Sequence, residues 1–131
     1  MRSYGKVGPK FWIDFTGQQW PEIQSTRRLK FQYPAHAALR RHFFNRDGYQ
    51  CVRCDARASA VPPDFDGTET LTTDTTLSSG YPDVLVLDHV ITLRAGGRSV
   101  VENLQTLCQT CNKRKQREDR AAVLRYQREA A

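Results

Sequence analysis

Two Cys-x-x-Cys pairs, Cys51/Cys54 and Cys108/Cys111, account for all 4 cysteines of the 131-residue chain and constrain its fold more than any other feature. A Cys-x-x-Cys knuckle presents two thiolates to one ion from a tight turn. Two knuckles supply the closed tetrahedral four-sulfur set of a structural zinc site. Zinc held by such a set contributes on the order of 10 kcal/mol in small finger peptides, comparable with the whole stability of an ordinary domain. A chain of this length fits one domain with a modest core, so losing a cysteine is expected to unfold the site and much of the protein. Two disulfides are the competing reading, but that framework belongs to secreted chains and does not favour paired knuckles. Met1-Arg2-Ser3-Tyr4-Gly5-Lys6 has no apolar h-region behind it, and no stretch approaches the roughly 20 apolar residues of a membrane span. The expectation is a reducing cytoplasm and no membrane partner.

The formal charge of +6 is unevenly spread. Residues 1–50 carry nine Lys/Arg against three acids, and residues 112–131 carry seven against three. Residues 55–83 reverse this, with Asp55, Asp64, Asp66, Glu69, Asp74 and Asp83 against Arg57 alone. Basic ends suit a polyanion, although a charge run is as often a solvated face.

Residues 1–34 combine Gly5, Gly8, Pro9, Gly17, Pro21 and Pro34 with Phe11, Trp12, Phe15, Trp20, Phe31 and Tyr33. Such punctuation excludes a long helix, and so many aromatics argue against a disordered tail. An irregular arm is expected, with a short strand near Lys10 to Phe15; its aromatics serve packing before nucleic-acid stacking. The domain proper is then 35–131. Ala35 to Asn45 has apolar residues at helical spacing, ends at Asp47-Gly48 and leads into the first knuckle. His36 and His42 on this helix have no partner spacing that makes them ligands. Residues 55–83 look like a long acidic surface insertion, readable as ligands, as a lid or as a solvated loop. Val84 to Val90 is a buried-strand pattern, and Asn103 to Leu107 a second strand after a turn containing Gly96-Gly97. From Asn112 to about Glu129 the chain is helical, with Val123, Leu124 and Tyr126 to pack one side.

Asp88-His89 closes the first of these strands and places a carboxylate beside an imidazole, able to act as metal ligand and general base. Leu87-Asp88-His89-Val90, Gly96-Gly97 and Asn103-Leu104-Gln105-Thr106-Leu107-Cys108-Gln109-Thr110-Cys111-Asn112-Lys113-Arg114-Lys115 together closely resemble the HNH endonuclease family and its ββα-metal fold. Arg46-Asp47-Gly48-Tyr49-Gln50-Cys51 is similar to that family's approach to its first zinc knuckle, so the resemblance spans about residues 40–117. It implies an α+β protein: a small ββα-metal core with a structural four-cysteine zinc site, flanking helices and the irregular arm.

The resemblance also implies roles. His89 is the general base, a group whose ordinary pKa leaves it mostly neutral at pH 7–8. Asp88 is a ligand of the catalytic metal, Asn103 braces the loop around the base, and Asn112 is the second ligand. The triad thus reads His-Asn-Asn. Asp88 and Asn112 offer only oxygen, which suits Mg²⁺ or Mn²⁺ better than Zn²⁺ or Ni²⁺. Lys113, Arg114, Lys115, Arg117 and Arg120 are expected to contact flanking phosphates; Lys115 also matches a basic position of the motif, whereas the other four are read from charge alone. Thr92 stands where the family often has proline, and Asp55 where glycine usually follows the first knuckle. The implied activity is hydrolysis of DNA, with structured RNA left open. A noncatalytic zinc-binding nucleic-acid adaptor is the alternative. The opening Tyr4-Gly5-Lys6-Val7-Gly8-Pro9-Lys10-Phe11-Trp12 is similar to compact phage and prophage nucleases, which implies packaging or replication proteins as partners and a host-cytoplasmic location.

Overall fold

The computed structural model describes residues 11–13, 19–21, 34–97 and 101–130. Near the N-terminus, β1 (Phe11–Ile13) pairs antiparallel with β2 (Gln19–Pro21). The expected short strand is therefore present, and the rest of the arm lies outside the described residues. Helix α1 (Pro34–Arg46) follows, then β3 (Thr72–Thr76), β4 (Pro82–His89), β5 (Leu104–Cys108) and α2 (Gln109–Ala130). The three later strands form one antiparallel sheet in the order β3-β4-β5.

Pro34 opens α1, where its fixed φ suits a first turn and its missing N–H costs nothing. The helix stops at Gly48, which takes φ +73° and lets its N–H reach Asn45 O while the Tyr49 N–H reaches Phe44 O. This paired closure satisfies carbonyls that a helix end would otherwise leave open. Asp47, just before the turn, fastens α1 to the sheet: its Oδ2 accepts from Thr106 N at 3.0 Å, and Arg46 reaches Val101 O and Leu104 O. The chain thus arrives at Cys51 already docked against β5.

Strand β4 alternates, burying Asp83, Leu85 and Leu87 while Val84, Val86 and Asp88 are half-exposed. Leu85, Leu87 and Leu104 join Leu39, Phe43 and Phe44 of α1 in the main core. The intervening positions belong to the side on which α2 lies: Val86 packs against the cysteine cluster, and Asp88 faces Lys115 of α2. Register pairs Leu85 with Cys108, Asp88 with Gln105 and His89 with Leu104. Hence Cys108 sits near the start of β4 and His89 at its far end, with the β4-β5-α2 unit between them. This is the expected α+β arrangement with a ββα core.

Residues 55–83 differ from a surface insertion. Phe65 and Leu71 enter the main core, β3 pairs with β4, and Ala58 bridges Thr73. Arg40 of α1 is buried and donates to Gly67 O at 2.9 Å; burial pulls its guanidinium down to about 10. Gly67, at φ +95°, runs so close to α1 that a Cβ would lie 1.8 Å from Ala37 O. Isolated apolar residues in a polar stretch, together with a third strand, fasten this segment to the domain. Helix α2 also begins earlier than expected, at Gln109, so that the second knuckle straddles the end of β5 and the first turn of the helix.

Candidate metal and catalytic site

The four Sγ atoms of Cys51, Cys54, Cys108 and Cys111 all lie within 4.8 Å of one another, and none is in a disulfide. Cys54 and Cys108 are 3.6 Å apart, near the spacing of about 3.8 Å that a tetrahedral ion with bonds of roughly 2.3 Å requires. Burial pushes the Cys108 thiol well up and the Cys111 thiol to about 11. At Cys51 burial also acts upward, but hydrogen bonds from the backbone of Cys108, Cys54 and Arg53 prevail and hold the thiol below its ordinary value. Four thiols this close become thiolates together only around a cation, and this donor set fits zinc. No histidine joins the cluster among the described residues; His42 instead packs edge-on against Phe43 at 4.8 Å.

The start of α2 is held by a residue that sequence reasoning passed over. Asp83, fully buried at the start of β4, accepts from Val84 N and Gln109 N on one oxygen and from Thr110 N and Thr110 Oγ1 on the other. A carboxylate supplied by a strand thus caps the helix that carries Cys111 and Asn112. Burial works against this charge, yet the Thr110 hydroxyl and the amides of Val84 and Thr110 outweigh it and keep the carboxyl below its usual range.

At the other end of β4, Asp88 Oδ2 lies 3.1 Å from Lys115 Nζ and 3.3 Å from Gln105 Nε2. No hydrogen bond reaches Asp88 Oδ1 among the described residues. Lys115 departs from the expected phosphate contact: its side chain is 3% exposed, and its ammonium is shared with Asp119 Oδ2 at 2.8 Å. The i, i+4 spacing of Lys115 and Asp119 was legible; the pairing with Asp88 needed the fold.

His89, the last residue of β4, is half-buried. The turn after it is clamped by Asn103: Ile91 N donates to Asn103 Oδ1 at 2.7 Å, and Asn103 Nδ2 donates to Ile91 O at 2.9 Å. Val90 N adds a bond to Asn103 O. Gly97 closes the same turn, and a Cβ there would lie 1.8 Å from Ile91 O. Asn112, in the first turn of α2, is buried on the same helix face as Cys111 and Lys115. Lys113, Arg114, Arg117 and Arg120 lie along the helix outside that buried set.

A carboxylate and an imidazole ending one strand, beside a helix whose preceding knuckle gathers thiols, is the arrangement that the sequence motif implies. Residues 77–118 match the family model for HNH endonuclease. The HNH segment takes in β4, β5, the second knuckle and the first half of α2, and so contains Asp88, His89, Asn103, Asn112 and Lys115. The first knuckle, α1 and β3 complete the thiol cluster, the core and the sheet around it. No curated protein and no solved structure matches the chain. Among the described residues, no helix is long and apolar enough to cross a membrane. The match over this segment suggests a nuclease-type function, which implies a nucleic-acid substrate, in a protein that also carries a zinc-compatible cysteine set.

Proposed function

We propose that the protein is a divalent-metal-dependent endonuclease that hydrolyses phosphodiester bonds in DNA, with His89 as general base and Asp88 and Asn112 as oxygen ligands of a catalytic ion. The observation that carries this reading is the state of Asp88. Lys115 and Gln105 hold one of its oxygens, while the other has no hydrogen bond among the described residues. A carboxylate anchored on one side suits a hard cation on the other, and Asn112 adds a second oxygen donor with no nitrogen in the set. Such an ion, when bound, supplies positive charge against the leaving 3′-oxygen.

The chain's own residues perform the rest. His89 accepts the proton of the attacking water. Asn103 fixes the turn that follows His89, so the imidazole leaves the strand end on a backbone clamped from both sides. Lys113, Arg114, Arg117 and Arg120 are suited to flanking phosphates, where they add affinity without reading sequence.

The test is nicking of supercoiled plasmid by zinc-loaded wild type and His89→Ala, each with Mg²⁺, Mn²⁺ or EDTA. Nicking that needs Mg²⁺ or Mn²⁺ and is lost in the zinc-loaded variant is the expected result. DNA binding without nicking by the wild type favours a noncatalytic adaptor; cleavage confined to RNA would move the substrate class.

A further inference from the structure

Among the described residues, Lys115 is the one buried lysine, and it sits one helical turn after Asn112. A buried ammonium is costly unless paired, and this one is paired twice, with Asp88 at 3.1 Å and Asp119 at 2.8 Å. Both contacts of Asp88 fall on Oδ2, which leaves Oδ1 for another partner. A positive charge therefore lies one carboxylate away from the position proposed for a divalent cation. Like charges at that separation oppose each other strongly where water is partly excluded.

We infer that Lys115 is a resident counter-cation of the Asp88 site: it holds the carboxylate in place when no divalent ion is bound, and it keeps the site's own affinity for such an ion low until a substrate phosphate adds negative charge. The ion and the nucleic acid then bind together, each raising the affinity of the other by the same factor. Asp119 sets the strength of this device, because it draws part of the ammonium's charge away from Asp88. The inference rests on Asp88 being a metal ligand, as proposed above.

The experiment is Mn²⁺ binding, followed by the loss of the free-ion EPR signal, to zinc-loaded His89→Ala protein with and without a short DNA duplex; the base is removed so that the duplex survives. Binding without DNA is expected to be weak and to tighten about tenfold or more when the duplex is present. In the same background, Lys115→Gln tightens DNA-free binding by about tenfold and shrinks the effect of the duplex, whereas Lys115→Arg retains the weak, DNA-dependent binding. Asp119→Asn shifts the affinity the other way, and these opposite signs cannot both come from damage to the fold. Zinc content and thermal melting are recorded for each variant. If Lys115→Gln folds and binds Mn²⁺ no more tightly, the counter-cation role is overturned and Lys115 is an orienting residue only. If Lys115→Gln does not fold, unchanged or tighter binding by Asp119→Asn overturns it. A different failure, in which Asp88→Asn changes Mn²⁺ binding in neither the presence nor the absence of DNA, removes Asp88 as a ligand and takes the proposed nuclease chemistry with it.

Discussion

The two ends of β4 are built on opposite principles. At the Pro82 end, polar capacity is used up: both oxygens of Asp83 are engaged by four donors, and four thiols gather around a common centre. At the His89 end, groups are held but not filled: Asp88 is anchored through one oxygen, and Asn103 spends its amide on the turn that follows His89. One strand and one helix serve both ends. The contrast shows how a small domain divides its work, with a saturated, metal-compatible end that stabilises the helix start and a partly open end whose spare acceptor is suited to a ligand.

The sharpest way to break this division is to attack the saturated end. Cys108→Ser, or zinc removal by a strong chelator, is expected to abolish cooperative folding, because binding energy on the order of 10 kcal/mol is at stake. Circular dichroism together with zinc content checks it, and a chelated protein with an unchanged melting curve would show that the cysteines do not carry the fold. A smaller effect is expected at Asp83. Asp83→Ala leaves the Gln109 and Thr110 amides and the Thr110 hydroxyl without their acceptor, at a cost of about 2–4 kcal/mol in denaturant melts. Asp83→Asn, whose Nδ2 would set a donor against two of these donors, should cost about as much despite its matching shape. Since the folded Asp83 carboxyl is held below its ordinary value, its contribution is complete above the ordinary carboxylate range and is lost as pH falls through the depressed value. The alanine variant should accordingly lose part of the acid dependence of unfolding.

The open end should respond differently. Asn103→Ala removes both bonds to Ile91 and is expected to cost only about 1–2 kcal/mol globally. Hydrogen exchange of the amides that follow His89 should nevertheless accelerate, and any nicking activity should fall by more than the stability change accounts for. Equal losses of stability and activity would place Asn103 with the scaffold and erase the distinction between the two ends.

Much of the framework was legible because its signals are local. Helix formers bounded by Pro34 and Gly48 mark α1, β-branched and apolar residues mark β4, and the spacing of the cysteines marks their convergence. The attachment of the segment 55–83 is not legible in the sequence, because Phe65 and Leu71 stand apart among polar residues, with no period to show that they share a core. Leu124, expected to pack, is 60% exposed, and half of the buried set of α2 is polar, Asn112 and Lys115 beside Cys111 and Val123. A hydrophobic pattern cannot announce a face of that kind.

The residue types and spacings by themselves determined that this chain gathers four thiols, ends a strand in Asp88-His89 and follows its second knuckle with a basic helix. Only the tertiary structure decided that Asp83 caps that helix from a strand, that Lys115 turns inward to Asp88 rather than outward to solvent, and that β3 completes the sheet. The reason is physical: thiol chemistry and helix propensity act over a few residues, whereas a buried charge is tolerated only where another element brings its partner, and that meeting exists only once the chain has folded.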